Sequence, residues 1–466
     1  TGMARAGPTN LSGIGGNDIA VVKYDNKGQV LWATRAGGTT NDQGRAMVLD
    51  GAGDIYLTGH FRGTGFFGTT NVQSSGLDDV FVAKLDNAGH WQWVARAGGT
   101  NTDEGRGIGR DNAGNVYVAG TFTGNSVFGG HNLTNHGQWD IFLAKLSATG
   151  EWAWGRSIGG AGLDETRGMA VDALGNCYVT GAFAGVADFG ETNLTSRGGA
   201  DIFLAKFNAD GRATWVWQAG GTNGDSGNAV TLDRFGNMYL TGGFAGMATF
   251  GRSNIIGGSI AGAQDMFVAR LSAAGELLWV QRAGGSSQDA GNAIAVDREG
   301  NSYVSGLFVG SAFFGPFALA STSGQADVFF VKYTSTGSLQ WAFQSRGTAY
   351  MSGNGTAVDD AGSVYGTGFF RSSTTFGGLG LTNSSFGRDA FIVRVDGPPR
   401  LRIDQSADGF VVSWPSWAVG YQLQSATNVG GSVWSGMTNL PQSTGDRTSI
   451  ADGNSGERRF YRLRKQ

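Results

Sequence analysis

Cysteine, proline and charge are all scarce in this chain: one Cys, six Pro, and 15% Asp, Glu, Lys and Arg in 466 residues. The lone Cys177 excludes an intrachain disulfide framework; its repeat position elsewhere holds Val116, Met238 or Ser302, so it reads as strand packing. No apolar run approaches the roughly 18 residues a membrane helix needs. A net charge of −3 with both signs dispersed leaves no footprint for nucleic acid or an anionic membrane. The four His residues (His60, His90, His131, His136) lack metal-ligand spacing. Neither a G-x-S-x-G elbow nor a P-loop is present, so the chain reads as non-enzymatic. Glycine is abundant instead, at 82 residues, without collagen spacing and with too many aromatics for disorder. Short strands joined by Gly-rich turns fit that composition.

A four-part signature recurs along the chain, and self-similarity at a fixed period outranks other cues. Strand a reads RAMVLD (45–50) or NAIAVD (292–297), and strand b DIYLTG (54–59), NVYVAG (115–120) or NCYVTG (176–181). A Phe-Gly corner follows, as at Phe128-Gly129 and Phe250-Gly251. Strand c starts with Asp and carries a cation five residues later, as in DVFVAKL (79–85) and DIFLAKL (140–146). Strand d carries Trp32, Trp93, Trp154, Trp215, Trp279 and Trp341, at spacings of 61, 61, 61, 64 and 62 residues. Each segment alternates with period two and is rich in β-branched and aromatic residues. The a–b turns (Asp50-Gly-Ala-Gly, Asp111-Asn-Ala-Gly) need a left-handed residue, which glycine supplies.

A single four-stranded sheet cannot bury both faces; radial packing of such sheets can, which is the propeller solution. Strand c occurs seven times, from Asp18 to Asp389, whereas a and d occur six times each. The missing d and a positions are consecutive in the running order. The expectation is a seven-bladed β-propeller over 1–396, its first and last blades incomplete here. The closing strands would come from upstream of Thr1 or from another molecule.

The AVD…GN-x-Y-V-x-G and D-x-F-x-A-K-L strings resemble the seven-bladed beta-propeller repeat (SBBP) family of secreted bacterial proteins over about residues 1–396. That resemblance implies an extracellular location and a surface or binding role, and transfers no catalytic residue. Gly347, where the Gly-Gly pair is lost, and Ser363, in place of Asn, depart from the pattern.

Gly397-Pro398-Pro399 reads as a linker to a second module, 397–466. There FVVSWPS (410–416), YQLQSA (421–426), TSIAD (448–452) and RRFYRLRK (458–465) alternate like strands, with loops over Asn428–Asn439 and Gln442–Arg447. A small fibronectin-like β-sandwich is expected. The W-P…G-Y-x-L-Q-S series resembles C-terminal modules of secreted bacterial proteins, which implies attachment, stacking or export.

Three recurrent constellations could carry chemistry. Each c strand pairs Asp with a cation at +5, an odd offset that puts the two on opposite faces about 16 Å apart, as blade-to-blade glue. Asp42, Asp103, Asp164, Asp225 and Asp289 recur in the d–a connection, with Met351 breaking the series. An Asx-turn explains them; as Ca²⁺ ligands they fall short of the six to eight oxygens calcium takes. No other cofactor is implied. Trp91/Trp93, Trp152/Trp154 and Trp215/Trp217 are separated by one residue, which alternation places on one face. Trp91, Trp152 and Trp217 are the glycan-stacking candidates, against packing between blades. The functional expectation is a non-catalytic extracellular scaffold that associates with itself, as a filament subunit for instance, or with other surface proteins. A carbohydrate- or protein-binding propeller is the alternative, and an enzyme with a site in the propeller mouth the second.

Overall fold

The computed structural model describes residues 3–258, 262–360, 362–383 and 387–395 and, nearer the C-terminus, 401–406, 409–415, 421–426, 434–437, 441–444, 447–453 and 459–465. The described residues form antiparallel strands and turns with no helix, as the composition implied. In repeat 3, strands a to d run Asp103–Arg110, Val116–Phe122, Asp140–Leu146 and Trp152–Gly160, pairing in that order. Repeats 2, 4, 5 and 6 follow the same a–b–c–d order. Repeat 1 supplies c and d (Ile19–Tyr24, Val30–Gly37), and repeat 7 supplies a, b and c (Ser352–Val358, Val364–Phe370, Asp389–Val395).

The Phe-Gly element is more than a corner. Ser126–Phe128 and His131–Leu133 form a hairpin, and Val127 pairs with Gly98 at the end of the preceding d strand. The hairpins starting at Val186, Met247, Ser311 and Thr374 repeat the arrangement on the d strands before them. The expected four self-contained strands per blade thus become six, two of them lent by the next repeat. An open d edge would expose unpaired backbone groups; the borrowed hairpin covers it.

The glycine pair closing strand d makes this possible. A Cβ on the second glycine would fall 1.9 Å from Val186 O at Gly160, and equally close to Thr64 O at Gly38 and Met247 O at Gly221. At the other end of the sheet, Gly114 of the a–b turn has φ +86°, the left-handed conformation its position required. Asp111 fixes that turn: its Oδ1 accepts from Asn115 N at 2.8 Å, and its Oδ2 from Asn115 Nδ2 at 2.7 Å and Tyr117 OH at 3.1 Å. Lys145, the c-strand cation, lies 5.1 Å over the Tyr117 ring. The G-N-x-Y string is therefore a turn clamp.

Sheet faces are buried between neighbours. Val80 and Val82 of repeat 2 share a cluster with Ile108, Val116 and Val118 of repeat 3, and later interfaces repeat it. Phe142, wholly buried, packs on Phe128 with ring centroids 4.7 Å apart. Each such side chain contributes about 1.5–3 kcal/mol by burial. Cys177 is likewise buried in strand b of repeat 4.

Contacts divide the chain into two compact units, Thr1–Thr356 with Gly366–Ile392, and Ala357–Tyr365 with Val393–Gln466. In the second, Arg402–Ser406, Gly409–Pro415, Arg447–Gly453 and Gln442–Thr444 form one sheet; Ser435–Gly436, Tyr421–Ala426 and Phe460–Lys465 form another. Val412, Trp414, Leu423 and Ile450 share an apolar cluster. The loop expected over Gln442–Arg447 is corrected: Gln442–Thr444 is a strand paired with Arg447–Ser449, its polar residues concealing it. Arg402–Ser406 was not anticipated. The loop expected over Asn428–Asn439 is corrected in part: Ser435–Gly436 is a short strand paired with Gln424–Ser425. Residues 428–433 and 438–439, like Gly397-Pro398-Pro399, lie outside the described residues.

Gly160→Ala is expected to destabilise the protein by about 1–3 kcal/mol through overpacking against Val186 O. Gly51→Ala, in a turn with no atom within 4 Å of its added Cβ, is expected to change stability by less than about 0.5 kcal/mol. Urea unfolding measures both; equal effects would refute the close-approach argument.

Candidate functional site

The d–a aspartates do not make Asx-turns; they reach further. Asp225 Oδ2 accepts from Gly221 N at 2.8 Å and its Oδ1 from Ala245 N at 2.8 Å, twenty residues on. Asp42, Asp164 and Asp289 make the same two bonds, to Gly38 and Arg62, Gly160 and Ala184, and Gly285 and Val309. In repeat 3, Asp103 takes Gly99 N and the Ser126 hydroxyl. Each carboxylate therefore staples the end of one d strand to the next repeat's hairpin.

A second carboxylate stands opposite. A Cβ on Gly98 would lie 2.7 Å from Asp79 Oδ1 and 2.9 Å from Asp103 Oδ2, so only glycine fits between the acids. The same pairs flank Gly159 (Asp140, Asp164) and Gly220 (Asp201, Asp225). In repeat 6 Arg346 replaces that glycine and Met351 the second acid; Asp327 Oδ1 then accepts from Gly347 N at 3.1 Å. The donors around both acids are mainly amide N–H groups, with Arg96 added at Asp79. These donors tie the carboxylate oxygens to strand-end amides. Among the described residues, no three His, Cys, Asp or Glu side chains converge for a metal.

The tryptophans are half-buried. Trp91 packs edge-on against Phe67 and its Nε1–H donates to Arg35 O. Trp152 does the same with Phe128 and Arg96 O, and Trp217 leans on Phe250. The same-face expectation is corrected for Trp91/Trp93 and Trp152/Trp154. A bulge pairs Leu85 with Trp91 and Lys84 with Trp93, so the two rings enter different inter-blade clusters. Trp215 and Trp217 lie beyond their bulge and share one cluster.

Sequence reasoning missed a polar belt on the a strands, which lie side by side through repeats 2 to 6. Each a strand has a bulge just after its staple aspartate, and the unpaired residue there is Arg45, Arg106, Arg167, Asn228 or Asn292. A bulge re-aims its side chain, and these reach sideways. Arg45 Nη2 lies 3.5 Å from Glu104 of repeat 3, Arg167 Nη1 donates to Asn228 Oδ1 and Asn228 Nδ2 to Gly291 O. Arg106 instead turns back to its own Glu104 at 2.9 Å. Beside this arc His60 is buried, its Nδ1 without a hydrogen-bond partner, and burial holds its imidazole below the ordinary value. The legible signal was a cation or amide three residues after each staple aspartate.

Burial, reinforced by the neighbouring c-strand acid, pushes Asp103 and Asp289 up to about 7 and Asp164 and Asp225 up to about 6. These groups hold protons more tightly folded than unfolded. Their stabilisation is complete below the unfolded value of about 4 and is lost as pH rises through the folded values. Thermal unfolding is expected to show stability falling between pH 5 and pH 8, with Asp103→Asn shallowing the slope. A rise over that range would contradict the assignment.

Residues 92–126 and 278–307 match the SBBP family, described as a beta-propeller repeat. An uncharacterized WD repeat-containing protein of Acanthamoeba polyphaga mimivirus is 23% identical over 74% of this chain and 31% of its own length. The regulatory protein FlaEY of Caulobacter vibrioides is 28% identical over 31% of this chain and 16% of its own. The chain thus spans less than a third of either relative. The repeated four-stranded units, the hairpin exchange between them and these matches support a β-propeller repeat architecture.

Proposed function

We propose that this chain is a non-catalytic interaction scaffold that works outside the cell, its repeats arranged as a seven-bladed ring and its C-terminal strands as a sandwich. One observation carries the reading. Recurrent polar side chains are engaged in holding strand ends together, while large apolar ones stand exposed on the borrowed hairpins: Met247 with its cross-strand partner Ile256, Phe313 and Leu379. Exposed apolar groups repeated along one edge favour contacts with another protein surface. Low charge suits packing between copies, and the resemblance to secreted propeller-repeat proteins supports the location.

A second reading, recognition of a sugar, is favoured by three residues without counterparts in other repeats. Tyr350 stacks on Phe369 with centroids 5.9 Å apart, and the Arg388 guanidinium lies 4.3 Å over the Phe369 ring. Such a platform suits the apolar face of a pyranose. A glycan array without saturable signal would refute this second reading.

For the first reading, sedimentation equilibrium is expected to show mass rising with concentration above the 48.5 kDa of one chain. Met247→Lys with Phe313→Lys is expected to abolish the rise. A wild type that stays at single-chain mass throughout would sink self-association.

A further inference from the structure

The polar belt differs in its two halves. On repeats 2 to 4 the bulge residues are Arg45, Arg106 and Arg167; on repeats 5 and 6 they are Asn228 and Asn292, whose amides bond the neighbouring strand's backbone. Within the cationic arc the carboxylates lie beneath and the guanidiniums above. Glu104 and Glu165 side chains are 13% and 18% exposed, whereas Arg45, Arg106 and Arg167 are 34%, 23% and 41% exposed. Three cations face two carboxylates. Asp78 is engaged by Arg62 in a two-point pair at 2.9 Å, and burial keeps His60 uncharged at neutral pH. One positive charge remains in surplus.

Hydrogen bonding points the same way. Among the described residues Arg106 has no partner on the following repeat, unlike Arg45 and Arg167, and its Nε–H makes no hydrogen bond. His60, nine-tenths buried on strand b of repeat 2 beside Glu104 and Arg106, leaves Nδ1 unpartnered. Buried polar groups are normally satisfied; here Arg106 Nε–H is a donor without an acceptor, His60 Nδ1 is unpaired in either tautomer, and Glu104 Oε2, 2.9 Å from Arg106 Nη2, makes no aligned hydrogen bond. Guanidinium forks match the oxygens of carboxylate and phosphate.

We infer that the arc formed by Arg45, Arg106 and Arg167, with His60 beside it, is a binding site for a small anionic ligand held through its carboxylate or phosphoryl oxygens. The ligand supplies the negative charge the arc lacks and bridges the a strands of repeats 2 to 4. This site is independent of the exposed hairpins and needs no second copy of the chain.

Isothermal titration of the full chain at low salt, with inorganic phosphate and separately with glucuronate, tests the inference. One saturable site per chain is expected for at least one probe, and the arm that binds identifies the preferred anion. Arg106→Gln is expected to weaken that binding by about tenfold or more, the loss of one charge-assisted contact, and Arg106→Lys to weaken it less. Arg252→Gln, in an exposed hairpin turn, is expected to leave it unchanged, and a circular dichroism melt checks that each variant is folded. No saturable binding of either probe would overturn the inference, as would wild-type affinity in folded Arg106→Gln or equal weakening by Arg252→Gln.

Discussion

The exposed edge of strand d governs the architecture. A four-stranded sheet ends in a row of unpaired amides and carbonyls, and this chain covers that row with the next repeat's hairpin. Three features follow. The edge strand must end in residues without side chains, hence the Gly-Gly pair. The hairpin must be anchored at its base, hence an aspartate accepting from both partners at once. Consecutive repeats are then joined by main-chain bonds and not by side-chain packing alone, so a blade is not a separable unit.

Bulges set where side chains point. A single extra residue in strand d sends Trp91 and Trp93 into different interfaces, although alternation assigns them one face. A comparable bulge in strand a ejects Arg45, Arg106, Arg167, Asn228 and Asn292 from the ladder and lets all but Arg106 bridge neighbouring repeats. Periodicity is reliable only between such interruptions, and the interruptions recur because the repeat does.

Carboxylates are used in two ways within one repeat. The a–b turn acid, as at Asp111, is enclosed by donors and by a cation on the c strand, which favours its charged form. The staple acid faces a second acid across a glycine, deep in the sheet, which favours its protonated form. Repeat 6 illustrates the coupling: with Met351 in place of the staple acid, Asp327 takes over the amide and the glycine between them is no longer kept. A chain with so few charges places many of its acids where they order backbone.

Much of this was legible in the amino-acid order. The period, the strand assignments, the all-β class and the left-handed glycine of the a–b turn follow from local rules, because alternation and turn chemistry act within a few residues. The hairpin exchange, the paired acids around Gly98 and the meeting of His60 with Glu104 and Arg106 did not follow. These contacts join positions 20 to 46 residues apart, and their partners are chosen by how one sheet lies against the next. By itself the sequence determined the repeating unit, since each strand and turn is encoded locally. Only the tertiary structure decided which side chains face one another between units, because that depends on bulges and edge pairing whose geometry exists only once neighbouring sheets have packed.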